Sequence, residues 1–307
     1  MASSSRPAPA RSAKTVLALF GPTASGKTAV AGVLRERLGA DVVSADAAAV
    51  YEGLRVITAA PDYPAHLVGV VPLHQDVSVG WYQPRAHAAV DAAGSPLVVG
   101  GTGLYFRAAL AALELPPPPE PGRRAHWQDE VERLGQEGAH ALLAERDPAA
   151  AARVHPNDRK RLVRALELAE VGRSLAPAAD RLWTEDTRLA TTIVALDLPL
   201  DVLDRRIERR TRAMAAAGAA DEARAAWARQ PSATARKILG LEEFATLDEN
   251  AAVEAVTQAT RRIARYQRKW LRRLPGVVTV DANRDAEEVA AEIVALGRAG
   301  ERLPGND

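Results

Sequence analysis

One octapeptide constrains this chain more than any other feature. Gly21-Pro22-Thr23-Ala24-Ser25-Gly26-Lys27-Thr28 fits the pattern GxxxxGK[ST]. The short apolar run Thr15–Phe20 precedes it, and apolar residues at helical spacing follow it from Thr28 to Leu38. Such a loop turns its backbone N–H groups inward at a helix N-terminus, and that cradle suits phosphate oxygens. Lys27 would neutralise phosphate charge, and the Thr28 hydroxyl could ligate Mg2+. The loop asks for a polyphosphate rather than a nucleoside triphosphate, because a diphosphate leaving group satisfies the same donors.

A strand feeding a helix through this loop implies a parallel sheet with helices on both faces. We expect further strands at Asp41–Ser44, Leu67–Val71, Pro96–Val99, Thr191–Leu196 and Val277–Val280. Leu115–Pro121 holds five prolines and reads as a rigid linker. From Gly122 to about Ala179 the pattern is helical throughout. Pro199 opens a long Arg-rich helix, two more helices run to about Leu274, and Asp285–Leu296 is the last. The fold class expected is α/β, a P-loop NTPase-like parallel sheet flanked by helices with a helical insertion domain. The insertion takes 116–184 and the core takes 15–115 and 185–300. Residues 1–14 read as a disordered tail, and Gly300–Asp307 as frayed.

Asp46 follows the second strand. Ligands of open α/β sheets bind outside the carboxyl ends of strands, so a carboxylate there is placed as a general base or an Mg2+ ligand, unless it only caps a turn. Gly100-Gly101-Thr102-Gly103 puts another close turn, with a hydroxyl, on that same edge. His155-Pro156-Asn157-Asp158 opens a helix carrying Arg159, Lys160, Arg161 and Arg164. Capping accounts for part of that motif; the basic run is either a solvated face or a phosphate-contact surface. Arg261–Arg273 holds seven basic residues and no acidic one. Its pattern suggests a helix that buries Ile263, Tyr266, Gln267, Trp270 and Leu274 and presents Arg261, Arg265, Arg268 and Arg272, a stripe suited to a nucleic acid backbone.

Composition closes other routes. The absence of Cys excludes disulfides, thiolate zinc sites, iron–sulfur clusters and a cysteine nucleophile. No stretch approaches the roughly 20 apolar residues of a membrane span. The N-terminal segment has no apolar h-region, and a cytoplasmic protein is expected. Lys and Arg number 40 against 39 Asp and Glu, so any polyanion partner must meet locally concentrated charge.

Read in order, Phe20-GPTASGKT, Ser44-Ala45-Asp46 with Val50-Tyr51, Pro64–Leu67 (PAHL), Gly100-GTGLY, HPNDRKRLVRALEL from His155 and RYQRKW from Arg265 resemble the tRNA isopentenyltransferase (dimethylallyltransferase) family. The resemblance runs from about Val16 to Val280. It implies transfer of a dimethylallyl group from dimethylallyl diphosphate to N6 of an adenosine beside the tRNA anticodon, with Mg2+ and without ATP. Under it, Gly21 to Thr28 hold the diphosphate. Asp46 takes the amine proton, Thr102 helps hold the reacting groups and Arg210 assists diphosphate departure. Asp46, Ala47, Ala48, Ala49, Thr102, Arg124, Asp158, Arg159, Lys160, Arg161, Leu162, Arg265 and Arg268 fall at tRNA-contacting positions, and Lys237–Leu241 matches a further such stretch. A monomer acting on one tRNA is implied. Ala47, Ala48 and Ala49 replace side chains that are polar in the family's pattern, Ala60 stands for a Lys and Leu241 for a Tyr, which removes polar contacts to RNA. The competing readings are prenyl transfer to a free adenine nucleotide, a P-loop small-molecule kinase and an RNA-binding protein with decayed catalysis. The insertion and the arginine stripe favour RNA over a free nucleotide; a kinase explains neither HPND nor RYQRKW.

Overall fold

The structure is a computed structural model that describes residues 14–118, 120, 122–176 and 181–298. The expected tail and the frayed C-terminus lie outside these residues, except Lys14. Two compact units form, Leu113–Leu182 and the remainder of the chain.

In the larger unit five parallel strands make one sheet: β1 (Thr15–Phe20), β2 (Asp41–Ala45), β3 (Pro96–Gly100), β4 (Ala190–Asp197) and β5 (Val277–Asp281), in the order β2-β3-β1-β4-β5. Alternation along β1 splits its side chains between two faces. Leu19 packs with Val42, Leu97 and Val194 beneath α1 (Lys27–Leu38) and α12 (Ala286–Arg298). Phe20 meets Phe106 of α4 (Gly103–Leu110) edge to face, ring centroids 5.1 Å apart.

Register fixes the site. Phe20 lies beside Gly100, Gly100 beside Ala45, and Phe20 also beside Ala195. The phosphate loop, Asp46 and the Gly101-Thr102 turn therefore leave the sheet at one level.

The strand expected at Leu67–Val71 does not form. Leu67 and Gly69 adopt left-handed φ values of 64° and 62°, which break an extended run, and only single bridges, Val43 to His66 and Tyr51 to Val71, remain. After α2 (Arg55–Thr58), α3 (Val79–Ala92) and β4, the Arg-rich helix is α8 (Leu200–Ala216). Three helices follow it where two were expected: α9 (Ala219–Ala228), α10 (Leu241–Thr246) and α11 (Glu249–Leu271). Left-handed Gly218 and Gly240 separate the first two from what precedes them.

The smaller unit has its own core. α5 (Arg123–Arg146, kinked at Gly135), α6 (Pro148–Ala151) and α7 (Arg159–Glu170) bury Trp127, Val131, Leu143, Leu162 and Leu166 together. Among the described residues no helix is long and apolar enough to cross a membrane.

Candidate active site

The phosphate loop is shaped by backbone that most side chains resist. Ala24 and Gly26 have φ of 64° and 95°. A Cβ on Gly21 would stand 2.8 Å from Ser25 Oγ and 3.2 Å from Leu196. Gly26 caps α1 without a side-chain bond, so the first-turn N–H groups receive no side-chain acceptor from it. Lys27 Nζ donates to Pro22 O at 2.7 Å, folding the ammonium back over the loop. Burial pulls Lys27 down from 10.5 to about 7; the Asp46 charge opposes this and Arg210 adds to it. Burial also lowers Arg210, again against Asp46. Lys27, Asp46 and Arg210 thus form one electrostatic group, assembled from the loop, the end of β2 and α8.

Asp46 and Thr102 are held by backbone. The Ala48 N–H donates to Asp46 Oδ1 at 2.8 Å, and the Ala47 N–H approaches Thr102 Oγ1 at 3.4 Å. Alanines suffice for these two bonds, since only their amides are used. Ala49 is buried, so its side chain offers no surface to a partner.

Each glycine of Gly100-Gly101-Thr102-Gly103 permits a close approach. An added Cβ would lie 2.4 Å from Ala45 O at Gly100, 2.7 Å from both Gln267 Nε2 and Gly21 O at Gly101, and 2.1 Å from the Trp270 ring at Gly103. Gln267 also accepts from the Thr23 N–H at 2.8 Å, so α11 braces the loop and this turn at once. Gly103→Ala is expected to cost about 1–3 kcal/mol by overpacking. That reads as a drop of about 2–4 °C in Tm per kcal/mol. Thermal melting checks it, with partial recovery when Trp270→Leu is added.

The arginine stripe of α11 differs from expectation. Ile263 and Tyr266 are 41% and 60% exposed, while the buried seam is Ala252, Val256, Thr257, Thr260 and Ala264. Arg261 pairs with Glu208 (3.4 Å), Arg265 with Asp204 (2.8 Å) and Arg268 with Asp197 (3.0 Å). Small residues let α11 lie close to α8, and its arginines reach Glu208 and Asp204 of α8 and Asp197 at the end of β4. Leu274 is buried and Gln267 and Trp270 are half-buried, as expected, whereas placing Ile263 and Tyr266 on that face overlooked that Ala and Thr can make a tighter seam. The spacing of Asp201, Asp204 and Glu208 on the facing helix was the available signal.

The smaller unit also assigns structural work to expected contacts. Asp158 caps α7, accepting from the Arg161 N–H at 3.1 Å. Leu162 is fully buried and cannot touch a partner; the same holds for Leu241 in the larger unit. Arg124 grips Glu167 through two bonds of 2.8 and 3.0 Å. Burial works against the Glu167 carboxylate, but Arg124 and Arg164 outweigh it and hold its carboxyl below the usual range. Arg159, Lys160 and Arg161 are all exposed; Arg159 pairs with Glu132 at 2.7 Å and Arg161 with Asp158 at 3.4 Å.

A family model described as IPP transferase matches residues 49–274. A protein named tRNA dimethylallyltransferase from Anaeromyxobacter dehalogenans is 40% identical over 295 residues, spanning 91% of this chain and 97% of its own length. The chain belongs to the IPP transferase family. A tRNA dimethylallyltransferase from Acidothermus cellulolyticus is 38% identical, covering 95% of this chain and 96% of its own. Among solved structures, a tRNA isopentenylpyrophosphate transferase from Bacillus halodurans superposes with a TM-score of 0.67 at 27% identity, over 93% of this chain and 96% of that one. A eukaryotic dimethylallyltransferase acting on tRNA shares the fold, with a TM-score of 0.76 at 19% identity. Both likenesses agree with an α/β parallel sheet flanked by helices.

Proposed function

We propose that this member of the IPP transferase family moves a dimethylallyl group from dimethylallyl diphosphate to the exocyclic N6 of an adenosine next to the anticodon of tRNA, releasing diphosphate. The observation that carries the reading is the single group formed by Lys27, Arg210 and Asp46 at one sheet edge. The two cations suit a leaving diphosphate, and the carboxylate suits an amine that must lose a proton.

The exocyclic amine is a weak nucleophile, because its lone pair is delocalised into the ring. The allylic C–O bond breaks readily once charge on the departing oxygen is stabilised. In the proposed step the N6 lone pair bonds to the allylic C1 and the C1–O bond breaks. Its electrons go to the diphosphate, held by the loop amides, Lys27 and Arg210, and the N6 proton passes to Asp46. Thr102, tied to the Ala47 amide, borders the acceptor side. Among the described residues no group of three or more His, Cys, Asp or Glu forms a metal cage. Thr28, the second residue of α1, would hold Mg2+ through its hydroxyl, and the ion would supply charge neutralisation at the diphosphate. The target adenine must leave its stack to reach such an edge.

For RNA contact we assign Lys160 and Arg161 on α7 and a face of α11 distinct from the ion-paired arginines. Arg262, Tyr266 and Lys269 are exposed at spacings of four and three, and among the described residues no carboxylate pairs with either cation. Arg262→Ala and Lys269→Ala should each weaken tRNA binding and reduce its salt slope by about 1. Arg265→Ala should instead cost up to about 1 kcal/mol of stability, with a small change in slope. Binding titrations at several salt concentrations, beside thermal melts, check this. The chain is expected to act as a cytoplasmic monomer.

Incubation with labelled dimethylallyl diphosphate, Mg2+ and either total tRNA or AMP tests the function. Label is expected on tRNA. Label on AMP alone would favour the free-nucleotide reading, and no transfer to either would sink the proposal.

A further inference from the structure

We propose that Arg206 is a second arginine for the diphosphate, one helical turn from Arg210 and over the far end of the phosphate loop. This rests on the diphosphate reading above and adds a contact residue to it.

Arg206 and Arg210 are four residues apart on α8 and so share a face, about 5–6 Å apart along the axis. Nη1 of Arg206 lies 3.9 Å from the point that a Cβ on Gly26 would occupy, and no other neighbour comes within 4 Å of that point. Gly26 is the left-handed residue at which the loop enters α1. Arg206 therefore stands over the Gly26 end of the loop, next to the residue that precedes Lys27.

Its charge balance differs from that of the ion-paired arginines around it, while Arg209, also without an ion pair among the described residues, is exposed to solvent. On α8, Arg205 pairs with Asp201 at 2.9 Å and Arg212 with Glu208 at 3.0 Å. Arg261, Arg265 and Arg268 of α11 are paired as well. Among the described residues no carboxylate pairs with Arg206. Its Nη1 donates to a neutral carbonyl, Ala282 O, at 3.2 Å. Ala282 is itself fixed by its N–H to Asp197 O at 2.8 Å, so the tip of the sheet aims the guanidinium. A half-buried guanidinium without a counter-ion carries a desolvation cost that an arriving anion offsets. Its planar fork, with Nη2 and Nε left to donate, matches phosphate oxygens. Two guanidiniums one turn apart can then engage both phosphoryl groups of a diphosphate.

Calorimetric titration of the full chain with inorganic pyrophosphate and Mg2+ tests this on wild type, Arg206→Gln and Arg206→Lys. Arg206→Gln should weaken Kd about ten- to a hundredfold, with partial recovery in Arg206→Lys. KM for dimethylallyl diphosphate should rise in step while KM for tRNA stays constant, a split that a merely structural role would not produce. Should Arg206→Gln fail to fold, wild type is treated with phenylglyoxal and its arginine-containing peptides are mapped. Pyrophosphate should shield Arg206 and leave Arg205 reactive. An Arg206→Gln affinity within about twofold of wild type, or equal Arg206 modification with and without pyrophosphate, overturns the proposal. If wild type binds no pyrophosphate, the diphosphate reading itself fails, and Arg206 with it.

Discussion

Asp46→Asn should lower kcat for prenyl transfer by about two to four orders of magnitude and leave the fold intact. Asparagine is isosteric and keeps an acceptor for the Ala48 N–H, the 2.8 Å bond that holds the side chain. It cannot take the amine proton. The substitution has a second effect, readable without turnover. The Asp46 charge favours protonated Lys27, so removing it pushes the lysine below about 7. Pyrophosphate binding by Asp46→Asn should then decline at a lower pH than in wild type. Single-turnover assays read the first effect and pH-dependent titrations the second. Transfer within about tenfold of wild type would remove Asp46 from the chemistry.

The sheet edge was legible in the sequence because its parts announce themselves locally. A phosphate loop between a strand and a helix, an Asp just past β2 and a Gly-Gly-Thr-Gly turn past β3 each carry their own backbone logic. Parallel register then brings them to one level. What stayed hidden depended on partners distant in sequence. Nothing near Arg265 or Arg268 shows that Asp204 of α8 and Asp197 at the end of β4 will neutralise them. Leu162 sits in a basic run that looks solvated, yet its spacing to Leu166 belongs to a core completed by Trp127 and Leu143 of α5. Gln267 read as one polar residue in an aromatic stripe, and its bond to the loop amide of Thr23 spans 244 positions. Leu67–Val71 failed as a strand because the left-handed φ of Leu67 has no signature in residue type.

Lys27→Met should abolish most transfer and make the ligand-free protein more stable. Removing a donor aimed at developing charge costs about two to three orders of magnitude in kcat. The stability gain follows from burial. Lys27 titrates at about 7 in the folded chain against 10.5 when exposed, so between those values the unfolded chain binds the extra proton. The penalty is full below pH 7 and shrinks as pH rises toward 10.5. Methionine removes it, so Tm should rise by several degrees at pH 7, at about 2–4 °C per kcal/mol, and the gain should fade in alkaline buffer. The same linkage acts on the ligand. A diphosphate needs the ammonium form, so binding near neutral pH should draw in part of a proton through Lys27, more as the pH rises. Calorimetry in buffers of different ionisation enthalpy reads that uptake, and Lys27→Arg, charged throughout, isolates it from the titration of pyrophosphate itself. Equal uptake in wild type and Lys27→Arg, or a Lys27→Met variant that melts lower than wild type at pH 7, would show that the ammonium is already satisfied in the empty loop. The phosphate cradle would then hold no stored electrostatic cost for the diphosphate to relieve.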